Sequence, residues 1–292
     1  MHVLITGANG QLGRCLQNVL APTPYRITAV DLAGLDITNS VEVSTRIARI
    51  APDVVVNAAA YTAVDQAESD AARAGQVNAQ GPKFLARACR EHSIPLVHVS
   101  TDYVFDGNKI GAYQPGDATG PTGVYGQTKL DGETAVMESG VDYLIVRTAW
   151  VFSEYGNNFV KTMLRLGAER DSLGVVSDQS GSPTYAGDLA AAIVQALPKL
   201  TAGQGLGLYH YAGEPPCTWY AFAERIFSQA HTLGLLASRP ALSPITSDQY
   251  PTRARRPLNS VLDSSAFTAA FGVPPSDWKQ AVTTVLERLR TA

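Results

Sequence analysis

The sequence predicts an α/β fold, a doubly wound parallel sheet with a smaller C-terminal lobe. Three observations predict it. Short β-branched runs alternate with longer helical patterns over residues 1–149. Some of those runs are almost wholly apolar, as in Val54-Val55-Val56, which suits parallel strands covered on both faces. The first run leads straight into a glycine-rich turn, Gly7-Ala8-Asn9-Gly10-Gln11-Leu12-Gly13, and then into a helical pattern.

Taken in order, the strand patterns cover residues 2–6, 26–31, 54–57, 95–100 and 143–148. Helical patterns fall between them at 11–20, 41–50, 77–91 and 125–139. The second helix has Asn39 placed to cap it and Glu42 three residues on, the spacing of a capping box. After Trp150 the rhythm breaks. Helical segments at 158–170, 188–197, 218–233 and 276–289 are separated by Gly/Pro-rich stretches such as 179–184 and 212–216. The expected division is an N-terminal domain over 1–149 and a C-terminal lobe over 150–292. Segments near 180–211 are expected to return to the first domain.

Composition narrows the function. The chain has 292 residues and is 45% hydrophobic, enough for one large core or a core plus a lobe. Its net charge of −3 leaves no basic excess for nucleic acid or an anionic membrane. Cys15, Cys89 and Cys217 are odd in number and far apart, and the five histidines show no ligand spacing, so no disulfide frame and no metal site are expected. The first strand starts almost at Met1, which leaves no room for a signal peptide. No apolar run nears the ~20 residues that span a bilayer. A cytoplasmic protein is the expectation.

The glycine turn is suited to a pyrophosphate. Gly7 allows the tight bend, Gly10 lets the backbone approach the phosphates, and Gly13 lets helix and strand pack closely. The helix start then offers free N–H groups and a positive dipole end. Asp31, at the end of the second strand, can accept hydrogen bonds from ribose hydroxyls and favours NADH. Arg14 could instead offset the charge of a 2′-phosphate and admit NADPH, or be a solvated helix residue. Asp36-Ile37 could reach an adenine, or be a loop carboxylate before a core isoleucine. The third strand closes on small residues, Asn57-Ala58-Ala59-Ala60-Tyr61-Thr62, which leave space for a cofactor. Residues 1–149 therefore read as a dinucleotide-binding domain of the Rossmann type, and 150–292 as mainly a substrate-binding lobe.

A second motif lies far downstream. Tyr125 and Lys129 stand four apart on a helical pattern and share a face. A free tyrosine ionises near ~10, and a neighbouring ammonium is expected to lower that value. The pair can exchange a proton with a substrate oxygen while hydride moves at its carbon. Thr101 or Ser100, at the end of the fourth strand, could hold the same oxygen. Such a spacing alone is usually an ordinary surface pair. It carries weight here because it follows a dinucleotide turn.

These motifs resemble those of the extended short-chain dehydrogenase/reductase family, and more narrowly of its dTDP-4-dehydrorhamnose reductases. The resembling segments are 7–13, 57–68, 100–107, 124–129, 147–152, 156–159, 178–184 and 254–257, in order along most of the chain. The resemblance implies an NADPH- or NADH-dependent reduction of the C4 ketone of a dTDP-linked keto-sugar. It implies that Tyr125 donates the proton, that Lys129 binds the nicotinamide ribose, and that Thr101 orients the sugar with Asp102 beside it. Trp150 would wall the sugar pocket. Gly10, Gln11, Leu12, Asp31, Asp36, Ile37, Ala60, Tyr61 and Thr62 match cofactor-contacting positions, and Asn78 matches an asparagine that supports the site. Asn158, Gln179, Arg255 and Arg256 are the candidates for the thymidine diphosphate. Arg253-Ala254-Arg255-Arg256 could equally be a solvated basic loop. Trp219 and Trp278 read as core or surface anchors.

The resemblance has a departure. Some family members form a dimer bridged by Mg²⁺ through glutamates. Here Cys15 stands just after the glycine turn and Gly187 at a second such position, and a thiol is a poor magnesium ligand. No structural metal is expected, and a homodimer is left open. Two other readings share the fold. One is a sugar-nucleotide dehydratase or epimerase; such a dehydratase would typically carry an acidic pair after the strand-end threonine, whereas this chain has Thr101-Asp102-Tyr103. A non-catalytic NAD(P)-binding regulatory subunit would not need Thr101, Tyr125 and Lys129 intact.

Overall fold

In a computed structural model that describes residues 1–291, the strand patterns assemble into one parallel sheet. Its strands are β1 (His2–Thr6), β2 (Arg26–Val30), β3 (Val54–Asn57), β4 (Leu96–Thr101), β5 (Tyr143–Thr148) and a late strand, Gly207–His210. Their spatial order is β2, β1, β3, β4, β5, Gly207–His210, and every neighbouring pair is parallel. The doubly wound fold predicted from the sequence is the one observed.

Alternation along each strand divides the sheet's two faces. Val3, Ile5, Val54, Val56, Val97 and Val146 pack under the helices Gln11–Leu20 and Ala186–Thr201. Leu4, Val55, Leu96 and Ile145 face the other way, under Ser40–Ile50 and Gly81–Glu91. These side chains are fully buried, each contributing about 1.5–3 kcal/mol of transfer free energy.

Three local differences from the sequence expectation have clear causes. The second strand stops at Val30 because Asp31 begins a turn, its carbonyl accepting from Gly34 and Leu35. The capping box at Asn39 is only half made. Asn39 accepts from the Val41 and Glu42 N–H groups, but the Glu42 carboxylate turns away to the Asp36 N–H. The helix expected over 77–91 is instead a π-helical turn, Gln76–Gln80, followed by Gly81–Glu91. Pro82 has no N–H for the carbonyl of Asn78 four residues back, and its ring crowds that carbonyl.

The C-terminal lobe has its own core. Phe152, Phe222, Phe227, Trp278 and Val282 are packed among the helices Phe159–Glu169, Trp219–Thr232 and Trp278–Thr291. A parallel pair not foreseen from sequence, Ser172–Val176 with Ala241–Ile245, lies beside them. Short pairings stitch the lobe together: Val151–Phe152 with Thr184–Tyr185, and Ser180–Gly181 with Cys217–Thr218. Ala186–Thr201 and Gly207–His210 leave the lobe and join the main sheet. Among the described residues, no helix is long and apolar enough to cross a membrane.

Candidate active site

The order of the strands reverses between β1 and β3, and the crevice at their carboxyl ends is where such sheets bind ligands. Its floor is a buried polar row at one level of three strands. The Thr6 hydroxyl donates to Asn57 Oδ1 at 2.7 Å, and Asn57 Nδ2 donates to His98 Nδ1 at 3.0 Å. His98 is therefore the neutral Nε2–H tautomer, and burial holds its pKa well below the usual histidine value.

Above this floor lies the glycine turn. Gly7 has φ 72°, and a Cβ there would lie 2.6 Å from the Ala59 nitrogen. At Gly13 a Cβ would lie 2.1 Å from the Gly7 carbonyl oxygen. The helix Gln11–Leu20 starts at Gly10 with no side-chain cap, so its first N–H groups remain available to an anion. Leu12 and Gly13 are buried behind them. Asp31 accepts from the N–H groups of Asn9 and Leu32, both at 2.8 Å, which joins the second strand to the turn. A cavity of about 330 Å³ adjoins, lined by Asp31, Asp36, Ile37, Ala60, Tyr61 and Arg73 among others. Thr62, one residue further, is exposed. Hydrogen bonds from Thr38 hold the Asp36 carboxyl below its usual pKa. Asn78 fixes the Tyr61 backbone from both sides, accepting from its N–H at 2.8 Å and donating to its carbonyl at 3.0 Å.

Tyr125 and Lys129 lie on the helix Val124–Glu138, with Glu133 four residues further on the same inward side. Lys129 Nζ donates to the Val99 carbonyl at 2.7 Å, and burial lowers its pKa to about 8, opposed by Glu133. Tyr125 departs from expectation. Desolvation pushes its phenol above the usual tyrosine value, with the Thr101 hydroxyl acting in the opposite direction. The expected acidification by Lys129 is not seen because the ammonium is turned to the strand carbonyl. Of the Ser100/Thr101 pair, Thr101 is the one beside Tyr125. Its hydroxyl donates to Asp102 Oδ1 at 2.9 Å and accepts from the Tyr103 N–H at 3.3 Å. Asp102 is buried, which raises its carboxyl from 3.8 to about 6.

Two carboxylates of the 57–68 segment, unassigned from sequence, build this site. Glu68 accepts from the Val124 N–H at 2.8 Å and caps the helix that carries Tyr125. Asp65 accepts from Arg256 Nη2 at 2.6 Å and from the Ala254 N–H at 3.0 Å. Arg256 also donates to the Tyr103 hydroxyl at 3.1 Å. Tyr103 in turn meets the Tyr125 ring edge-to-face, centroids 5.5 Å apart. Arg256 is thus paired within the protein. Arg255 is exposed and makes no hydrogen bond or ion pair among the described residues.

The remaining substrate candidates are more scattered. Gln179 is buried and donates to the Ser247 hydroxyl at 2.9 Å. Asn158 is bonded within the protein. Its oxygen caps the helix Phe159–Glu169, while its amide donates to Gln11 Oε1 at 2.9 Å and to the Ser153 carbonyl at 2.7 Å. The Gln11 side chain is held in the same joint, accepting from Ser153 as well. Trp150 lies two residues past Thr148, the β5 partner of Thr101. Its φ of 46° is a strained value for a bulky residue, costing about 1–3 kcal/mol. Trp219, read from sequence as a packing residue, is stacked on it. Arg73 was also missed, because only the fold brings it to the cavity beside Asp36. Among the described residues, no cluster of three or more His, Cys, Asp and Glu could hold a metal ion.

A family model described as RmlD substrate binding domain matches residues 1–291. A dTDP-4-dehydrorhamnose reductase of Aggregatibacter actinomycetemcomitans is 48% identical over 284 residues, covering 96% of this chain and 97% of that protein. The crystal structure of a dTDP-4-dehydrorhamnose reductase from Clostridium acetobutylicum superposes with a TM-score of 0.93 at 39% identity, covering 99% of this chain and 100% of that one. One from Bacillus anthracis, in complex with NADP, has a TM-score of 0.91 at 38% identity, covering 98% and 99%.

Proposed function

The chain belongs to the RmlD substrate binding domain family, and on that premise we propose that it is an NAD(P)H-dependent reductase of a nucleotide sugar. Its substrate in this reading is dTDP-4-dehydro-L-rhamnose, whose C4 ketone becomes the hydroxyl of dTDP-L-rhamnose. One observation carries the reading. Thr101, Tyr125 and Lys129 converge at the carboxyl end of β4, in the same sheet as the glycine turn.

The glycine turn fits a dinucleotide, since its tight bend, with no room for a Cβ at Gly7 or Gly13, leaves the helix start's N–H groups for the phosphates. When bound, the dihydronicotinamide supplies the hydride. The residues of the chain do the rest. Tyr125 gives its proton to the C4 oxygen as the C=O bond becomes C–O–H. Its raised pKa keeps the phenol protonated near neutrality, as an acid requires. Thr101 holds the same oxygen by turning its hydroxyl proton, which Asp102 accepts in the free protein, to the C4 oxygen. Lys129, its ammonium held at the Val99 carbonyl, donates to the nicotinamide ribose. Asp31 suits the free ribose hydroxyls of NADH, while Arg73 and Arg14 suit the 2′-phosphate of NADPH. Arg255 offers a guanidinium to the diphosphate of the sugar nucleotide.

The test is direct. Purified protein is mixed with NADH or NADPH and enzymatically prepared dTDP-4-dehydrorhamnose. Oxidation of the cofactor with formation of dTDP-L-rhamnose is expected. Cofactor binding without oxidation would overturn the reading in favour of another keto-sugar or a regulatory subunit.

A further inference from the structure

Trp150 and Trp219 lie face to face, ring centroids 3.5 Å apart and planes 6° from parallel. Gly181 closes the opposite face. A Cβ at Gly181 would lie 2.3 Å from Trp150 Cε2, and 2.5 and 2.6 Å from Cζ2 and Nε1. The inner ring atom is the nearest, so the glycine lies over the plane of the indole and not at its rim. It cannot lie on the Trp219 side, where the 3.5 Å gap leaves no room. Trp219 is itself backed by Phe159, with ring centroids 4.6 Å apart. The backbone at Trp150 is held by its carbonyl, which accepts from the Thr184 N–H at 3.2 Å.

An indole covered on both faces has only its rim to offer. The rim carries one polar group, the Nε1–H donor. In Trp278 that donor is satisfied by the Pro215 carbonyl at 2.7 Å. In Trp150 it has no partner among the described residues, and Trp150 is only partly buried. The residue stands just past the carboxyl end of β5, next to the strand that ends in Thr101.

We propose that Trp219 is a positioning residue, clamping Trp150 against Gly181 so that the Trp150 Nε1–H is aimed at an oxygen of the bound nucleotide sugar. This rests on the nucleotide-sugar reading above. Trp150 then contributes a directed hydrogen bond and not a stacking platform, and Trp219 acts through Trp150 without touching the sugar. Gly181 is required because any side chain there would displace the indole from its other face.

The experiment measures the Kd of dTDP-L-rhamnose by calorimetry with NADP⁺ present, together with kcat and KM for the keto-sugar. Trp219→Ala and Gly181→Ala should each raise Kd and KM by about five- to tenfold, the effect of one lost hydrogen bond to a neutral donor. The Kd of NADP⁺ should not move. Trp219→Phe keeps a stacking ring and should stay within about twofold of the wild type. Trp150→Phe should match Trp219→Ala, and the double variant should be no worse than either, since both remove one interaction. Additive losses, or a Trp219→Ala variant that binds the sugar nucleotide like the wild type, would sink the proposal. Should Trp219→Ala fail to fold, Gly181→Ala moves the same indole from the other side and puts the same hydrogen bond to the test. If the wild type neither binds dTDP-L-rhamnose nor reduces the keto-sugar, the functional reading falls and this inference with it. A competent wild type with an indifferent Trp219 overturns the inference alone.

Discussion

The residues that carry chemistry are legible from sequence where spacing on one element suffices. Tyr125 and Lys129 share a helix face, so four residues of spacing place them together. Residues that act from other elements leave no such signal. Asp65, Glu68, Arg73 and Trp219 reach the site only through tertiary folding. The protonation states were legible only in part, because burial and the Val99 carbonyl decide them. Replacing Tyr125 by Phe removes the proposed acid, so kcat should fall by two or more orders of magnitude while the Kd for cofactor stays nearly constant. Single-turnover kinetics alongside cofactor titration would check this. Asp102 gives a second prediction. Its carboxyl titrates at about 6 in the fold against 3.8 unfolded, so between those values the folded protein binds more protons. The stability contribution of Asp102 therefore falls as pH rises through this window, then levels. The Tm advantage of Asp102→Asn over the wild type should grow from about pH 4 to about pH 6 and stay flat above.

At the scale of elements, most of the strands and helices around the sheet follow from periodicity, because each buries a face against a neighbour. The exceptions are governed by particular contacts. The π-turn at Gln76–Gln80 comes from Pro82, and it turns the Asn78 carbonyl toward Gly132 of the helix Val124–Glu138, where a Cβ would lie only 2.1 Å away. That helix is fastened near both ends. Glu68 caps its start, and Glu133 receives two hydrogen bonds from Arg147 of β5, at 2.9 and 2.6 Å. Both partners of this ion pair are buried. Removing one charge strands the other, so Glu133→Gln should cost about 3–5 kcal/mol. Urea denaturation would show it as a lower midpoint with an unchanged slope. A loss under about 1 kcal/mol, near the value of an exposed pair, would mean that water reaches the guanidinium.

For the whole molecule, the layered α/β plan was readable because strand–helix alternation permits few other arrangements. The C-terminal lobe was less readable. Its strands are two to five residues long, and the pairing partners lie far apart in sequence. Acid should unfold the molecule early. His98 and His210 are both buried and depressed, His210 to about 3 from 6.5. The unfolded chain takes up protons below pH 6.5 that the folded chain refuses, so stability is present above that value and is lost as pH falls. The urea midpoint should drop between about pH 7 and about pH 5, and drop less steeply in His210→Gln. Equal slopes in the two proteins would assign the acid sensitivity elsewhere.

The joint at Gln11 ties the glycine turn to the C-terminal lobe. This side chain stands on the first residue of the helix Gln11–Leu20, yet it is held by Ser153 and Asn158 of the other lobe. In the proposed function, the dinucleotide on the turn and the sugar nucleotide on the lobe meet at this joint. Linkage then allows no one-way influence: whatever factor the cofactor adds to the affinity for the sugar nucleotide, the sugar nucleotide must return to the cofactor. The two departures are then governed by one shared free energy.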